Sequence, residues 1–433
     1  TIKVKSKENT AKFELKYSYS SELSDAKIKY ATSWPELSNI YGKLLLDNNS
    51  LNLKINKAYT LGQKVDFGEV IIKNFNNPVV ESHVRTKFDL AAGLGFIDKS
   101  PLKHSIGKYF SNAVLSGLAD LDVGFQLNLN KSEVDLNSLY GKVGLHEDKM
   151  TFNNYSVDLA HTNGSLQFDA KKMWGEKLTA IQNSSNLDIS LSSDANELAV
   201  NLKGDMPLGQ ILPKYIPSSL AKMVHGTPYV NCKVRINTKG EQVVTSIDAE
   251  SNAGGIAVDM PPPLALSLTD KSPVLFKANI LDDKIIDFSV GYAKDVNLIW
   301  QAGATQHTEL LTLRSPAIKY SDWEDFLDGA YADFKLPPMQ LNLAELNIYG
   351  FKIASPSLLI KKDGDVAEIN IDSNDASGII KFKPSNFLSM DLDKLRINSI
   401  NTDYKAVDKL EGMDYKIKAK QLYYLDRVYD NVN

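Results

Sequence analysis

The sequence predicts a mainly β protein whose strands carry one apolar and one polar face. Three observations predict it: apolar residues that alternate with a two-residue period, turn signals at short intervals between those runs, and few helical signals. Successive side chains of a strand point to opposite sides, so a period of two sorts the residues onto the two faces of a sheet.

The clearest run lies at 120–130, where Leu121, Val123, Phe125, Leu127 and Leu129 alternate with Asp122, Gly124, Gln126 and Asn128. In chain order the pattern also occurs at Phe13/Leu15/Tyr17/Tyr19, Leu51/Leu53/Ile55, Leu187/Ile189/Leu191, Leu198/Val200/Leu202 and Val230/Cys232/Val234/Ile236. Each run reads first as a half-buried strand of an antiparallel sheet. Turn signals follow the same order: Asn48-Asn49 ahead of Ser50-Leu51, Asn163-Gly164 ahead of Leu166, and Asp363-Gly364 between Ile360 and Val366. Gly93-Leu94-Gly95 has two glycines without a third, which reads as a turn rather than a dinucleotide loop.

Three stretches carry helical signals. Pro101–Leu115 opens with Ser100-Pro101, an N-cap followed by proline at the first helical position. Pro207–Val224 is interrupted by Pro213 and Pro217 and predicts two short pieces. Ser321–Phe334 could be capped by Ser321 and carries Trp323, Phe326 and Leu327 as an apolar stripe. Short amphipathic helices of this kind plug an edge or an end of a sheet. Gly254–Leu264 reads as a strand exit and stiff crossover, because Pro261, Pro262 and Pro263 stop a ladder while Met260 and Leu264 favour packing.

Length and composition narrow the classes of function. At 433 residues with 43% hydrophobic content, the chain has the material for an extensive core. With 49 Lys+Arg against 53 Asp+Glu the net charge is -4 and the two signs are interspersed, which argues against a nucleic-acid partner. Cys232 is the only cysteine, so no internal disulfide forms and the residue reads as a small buried hydrophobe. No run approaches the roughly 20 apolar residues of a membrane-spanning helix. The chain begins Thr1-Ile2-Lys3-Val4 and reads as an excised fragment, with any anchor or targeting signal outside it.

Signatures of catalysis are lacking. His83, His104, His146, His161, His225 and His307 are scattered without ligand spacing, and read as surface or edge residues. There is no nucleophile elbow and no phosphate-binding loop. The acidic pairs Asp120-x-Asp122 and Asp282-Asp283 are typical of solvated strand faces and turns. The expectation is no enzyme, no catalytic residue, no metal and no cofactor.

One internal echo is present. Met339-Gln340-Leu341-Asn342-Leu343 followed by Ile348-Tyr349 resembles Met413-Asp414-Tyr415-Lys416-Ile417 followed by Leu422-Tyr423, with the same spacing. It points to a fold built by adding similar β units. The expected organisation is one continuous module over 1–433, with units at 1–118, 119–228, 229–335 and 336–433, the last incomplete.

An ordered series of short motifs then resembles one family. It comprises Trp34-Pro35-Glu36-Leu37 with Gly42-Lys43-Leu44, Ser100-Pro101-Leu102, and Tyr215-Ile216-Pro217 with Leu220 and Gly226. It continues with Gly255-Ile256-Ala257-Val258-Asp259-Met260-Pro261 and Pro263-Leu264, then Asp322-Trp323 with Phe326-Leu327. It ends with Leu336-Pro337-Pro338-Met339-Gln340-Leu341-Asn342-Leu343, Leu346 and Gly350. In order and spacing this resembles the YhdP branch of the AsmA-like bacterial envelope proteins, from about Ala31 to the C-terminus. The chain departs from that pattern at Ala265-Leu266-Ser267, where Lys-Pro would be expected, and it lacks the family's N-terminal membrane helix.

The resemblance implies a twisted, elongated β-sheet curled into a groove, in a periplasmic protein anchored in the inner membrane by a segment outside this chain. It implies phospholipid transport between the inner and outer membranes, with phospholipids and components of both membranes as partners. Acyl chains would lie on the apolar face, taken as the concave one. Leu121, Val123, Phe125, Leu127 and Leu129 are the expected groove lining, with Leu341, Leu343 and Ile348 next. The alternatives are an envelope-biogenesis scaffold or chaperone that pairs β-strands with protein partners, and a β-rich hydrolase with a dispersed site.

Overall fold

A computed structural model describes residues 3–5, 14–129, 133–153, 157–214, 216, 218–239, 242–252, 254–282, 284–292, 295–302, 309–328, 337–348, 351–363, 366–383, 387–397 and 414–433. The protein is mainly β, and 27 of its strands belong to one mixed sheet. The chain divides into two compact units, Thr1–Gly204 with Lys233–Val243, and Asp205–Cys232 with Val244–Asn433.

The first unit contains β1 (Lys3–Lys5), β2 (Glu14–Lys16), β3 (Ser18–Ile28), β4 (Leu37–Asp47), β5 (Ser50–Thr60), β6 (Gln63–Val65), β7 (Phe67–Ile72) and β8 (Val79–Asp89). After the helix α1 (Leu90–Asp98) come β9 (Ala113–Ser116), β10 (Leu118–Asn128), β11 (Glu133–Phe152), β12 (Val157–Asp169), β13 (Met173–Gln182), β14 (Ser185–Ser193) and β15 (Glu197–Asp205). From β3 the strands form an antiparallel meander through β4, β5, β7, β8, β10 and β11. It continues through β12, β13 and β14 to β15. Asn48 and Asn49 form the β4–β5 turn, with Asn48 at φ 33°, a conformation asparagine tolerates well.

The second unit begins with two short helices, α2 (Leu208–Ile211) and α3 (Ser218–Ala221), then β16 (Val224–Gly226). β17 (Tyr229–Asn237) is divided between the units after Cys232. The rest are β18 (Val244–Asn252), β19 (Ile256–Val258), β20 (Pro273–Leu281), β21 (Lys284–Tyr292), β22 (Val296–Gln301) and β23 (Leu310–Lys319). The helix α3-to-C-terminus series closes with α4 (Tyr320–Asp328), β24 (Met339–Ile348), β25 (Phe351–Ala354), β26 (Ser357–Asp363), β27 (Val366–Asp372), β28 (Ala376–Lys383), β29 (Phe387–Ile397), β30 (Asp414–Tyr424) and β31 (Arg427–Val432).

Most neighbours are antiparallel, but β23–β24 and β29–β30 are parallel. A parallel pair cannot be closed by a tight turn and needs a crossover; α4 lies in the first of these connections. β24 and β30 are the two strands of the internal echo. Each enters the sheet parallel to its predecessor and is followed by an antiparallel partner, β25 or β31. Within this unit the repeated sequence therefore marks a repeated way of entering the sheet.

Several local expectations are corrected. Pro101–Leu115 is two 3₁₀ turns, Pro101–His104 and Ile106–Phe110, running into β9. Leu102, Ile106 and Phe110 do recur at helical spacing, but Ser105 and Gly107 interrupt them, and a Cβ on Gly107 would lie 2.8 Å from Ile97 Cγ2. Ser100 caps the first turn and Pro101 opens it, as expected. Gly93-Leu94-Gly95 is part of α1, not a turn, and α1 is capped by Asp89, whose Oδ1 accepts from Ala92 N at 3.0 Å. Asn163-Gly164 lies inside β12 at an irregularity of register. α4 starts at Tyr320, so Ser321 sits within it. Tyr17 and Tyr19 are exposed, and Phe13 lies outside the described residues, as do His307, Asp283, Gly364, Tyr215, Pro217, Leu336 and residues 329–334 of the expected third helix. The Pro207–Val224 stretch does form two short helices.

Candidate functional site

Within each unit, alternation sends side chains of neighbouring strands to a shared apolar side, where they join into clusters. In the second unit a cluster runs from Leu343 and Leu346 of β24 through Ile353, Leu358, Ile371 and Leu392 to Ala419 of β30. A further cluster holds Tyr292, Val296 and Leu313, with Val274 of β20 and Leu264 packed against it. Ile318 and Leu341 touch both clusters, so the apolar face is continuous from β20 to β30. Ile360, Ile369, Ile380 and Met390 on this face are only half-buried.

Strict alternation would not keep this face apolar along the whole of β24. Leu341 and Leu343 are odd-numbered, whereas Leu346 and Ile348 are even. The pairing with β23 is interrupted at Pro316 and Ala344 with its register unchanged on either side, and alternation restarts across this break, so that Leu346 and Ile348 belong to the same cluster as Leu343. Leu341, Leu343 and Ile348 are thereby brought together.

The expected lining residues of β10 meet different surroundings. Val123 and Phe125 pack into a cluster with Trp34, Leu102, Ile106, Leu139, Met173 and Leu198. The Phe125 ring is stacked with Trp34 at 6.4 Å between centroids and lies 6.0 Å from Tyr30. Burial raises the Tyr30 hydroxyl above the usual phenol range. Leu127, 4% exposed, packs with Ile72 and Val80. Leu121 is half-buried, and Leu129 lies beyond the end of β10 and is 44% exposed.

What meets this part of the face is the chain itself: Tyr30 and Trp34, between β3 and β4, lie against Phe125, and a second segment joins the same cluster. The segment from α1 to Phe110 lies against the apolar face, contributing Leu90 and Leu94 to one cluster and Phe96, Ile97, Leu102 and Ile106 to another. Phe96 stands 6.0 Å from Trp34. Sequence reasoning located the apolar face but missed this cover; Leu90, Leu94 and Ile97 at spacings of four and three were its signal.

The opposite face carries paired charges. On β8, β10, β11 and β12, His83 meets Asp122 at 2.6 Å, His146 meets Asp120 at 2.8 Å, and His161 meets Glu147. Exposed pairs of this kind contribute little to stability. Glu147, His161 and Lys177 have positive φ, at irregularities in three adjacent strands. Bulges bend the strand that carries them, so this row places a bend across the first unit's sheet. Asp148 turns inward at the first bulge and accepts the His146 N–H at 2.8 Å through Oδ2.

The proline-rich segment is held from two sides, Pro263 O accepting from the Tyr292 hydroxyl at 2.9 Å and Pro262 O from Trp323 Nε1 at 2.7 Å. Cys232 is buried, and burial pushes its thiol up to about 11. Among the described residues no three His, Cys, Asp or Glu side chains are grouped to hold a metal ion, and no helix is long and apolar enough to cross a membrane.

A family model described as YhdP protein matches residues 9–424. No curated protein and no solved structure matches the chain.

Proposed function

The chain belongs to the YhdP family, a family of the bacterial envelope, and from that premise we propose that it shields phospholipid acyl chains as they move between the inner and outer membranes. It acts in the periplasm, and the whole protein is anchored in the inner membrane. It is a conduit rather than an enzyme, and its partners are phospholipids and components of the two membranes.

The observation that carries this reading is the unbroken apolar face from β20 to β30, on which Ile360, Ile369, Ile380 and Met390 stay half-buried. Each acyl CH₂ taken from water onto such a face gains about 0.8 kcal/mol. A chain that slides along it exchanges one set of aliphatic contacts for an equal set, so intermediate positions have similar free energies. Headgroups keep their water at the margin. Such a surface requires continuity rather than particular side chains, in keeping with the lack of catalytic signatures.

The test is lipid extraction from the purified, folded chain followed by mass spectrometry. Phospholipid is expected to accompany the chain and to be depleted in an Ile369→Asp variant. A folded chain that carries no phospholipid would sink the reading. A second reading, an envelope scaffold that pairs strands with protein partners, draws on β31, where Val428 and Tyr429 are exposed.

A further inference from the structure

The segment covering the first unit's apolar face is built like a strap. Its two roots are joined, since Leu90 N donates to Gly117 O at 3.1 Å. Gly117, at φ +124°, has Asp148 Oδ1 standing where a Cβ would be, so the root position admits only glycine without rearrangement. From these roots the chain runs out through α1 and the two 3₁₀ turns and returns into β9. β9 stays paired with β11, so movement is confined to the stretch before it.

The far end is fastened lightly. Lys108 Nζ donates to Ala195 O at 2.6 Å, and the Tyr109 hydroxyl donates to Asp194 O at 3.2 Å. Both acceptors are main-chain carbonyls in the exposed turn between β14 and β15. α1 itself is short and includes Gly93 and Gly95, each of which weakens a helix relative to alanine. Between root and fastening, what holds the segment down is apolar: Phe96, Ile97, Leu102 and Ile106 against Phe125, Met173 and their neighbours. Those are the contacts an acyl chain would make with the same floor, so the exchange of one for the other changes little apolar burial.

From this geometry we infer that Leu90–Phe110 is a lid over the first unit's apolar face, released at the Lys108–Tyr109 fastening, and that acyl chains take its place. The inference rests on the lipid reading above. The lid opens from its far end, pivots at the Leu90–Gly117 root and exposes the cluster it shares with Trp34, Met173 and Val200. The Asp194 turn is thus where entry to this part of the face is controlled.

The experiment places a photo-crosslinking residue at Val200, in the cluster the lid joins, or at Ile369, on the half-buried apolar face of the second unit, in the native chain and in a Lys108→Ala/Tyr109→Phe variant. Phospholipid adducts are expected at Ile369 in both. At Val200 they should be scarce in the native chain and rise about tenfold in the variant, the effect of removing two modest hydrogen bonds from the closed state. Hydrogen exchange of residues 90–110 should accelerate by a similar factor. Adducts at Ile369 with none at Val200 in either protein would make the segment permanent core and overturn the lid alone. Equal adducts at Val200 in both would show that the fastening gates nothing, which also overturns it. No adduct anywhere would remove the lipid reading together with the lid. Exchange measured with native Val200 reads the lid independently of any effect of the probe on folding; unchanged exchange in the variant would contradict it.

Discussion

Asp194 shows how much one side chain can organise. Its carboxylate accepts the backbone N–H of Asn196 and Glu197 at 2.7 and 2.8 Å, and these bonds lower its pKa from 3.8. A carboxylate with a depressed folded value adds stability that is complete above its unfolded value and is lost as the pH falls through the folded one. The Asn196 and Glu197 amides should therefore stay protected at pH 6 and lose protection, relative to strand amides nearby, only below pH 3.8. NMR hydrogen exchange would read this, and Asp194→Asn should abolish the acid step; protection that persists through it would show that the turn holds itself. The role was not legible in the sequence, because the hydrogen bonds to the strap are accepted by the main-chain carbonyls of Asp194 and Ala195. Cys232 was legible, since a lone cysteine on the same side of an alternating strand as Val230 and Val234 has one ordinary environment, and it is buried there.

Among the elements, strands were read well and their irregularities poorly. Leu51, Leu53 and Ile55 on β5, and Leu187 and Ile189 on β14, lie in apolar clusters as alternation requires. Gly93-Leu94-Gly95 and Asn163-Gly164 were misread for one reason: glycine marks conformational freedom, not the element that uses it. β24 gives the sharpest test of the break in alternation. Uninterrupted alternation from Leu343 would turn Glu345 inward, whereas the break at Ala344 leaves Leu346 inward, at 8% exposure. Leu346→Asp should destabilise the chain by about 3 kcal/mol or more, a charge having been placed without a partner among aliphatic groups. Glu345→Gln, which affects only an exposed pair with Lys352, should cost under about 1 kcal/mol. Urea midpoints of the two variants would decide it, and the reverse order would restore simple alternation.

For the whole molecule, the β class and the two-faced strands followed from period two alone, and the family followed from the order of short motifs. Neither could separate a face that waits for a ligand from a face that packs on its own chain. Phe125 and Leu127 illustrate the difference: they carry the clearest alternation, yet Phe125 stacks on Trp34 and Leu127 is 4% exposed. Polar substitution there tests packing before it tests transport. The half-buried positions of the second unit are the better probes, and β27 offers a built-in control. Ile369 lies on the apolar face, while the adjacent Glu368 pairs with Lys381 at 3.3 Å on the other. The central claim is therefore tested most directly by photo-crosslinking from these two neighbouring positions in cells, with adducts identified by mass spectrometry. Phospholipid should be captured from position 369 and not from 368; equal capture from both, or none from 369 in a folded chain, would contradict a lipid-bearing face.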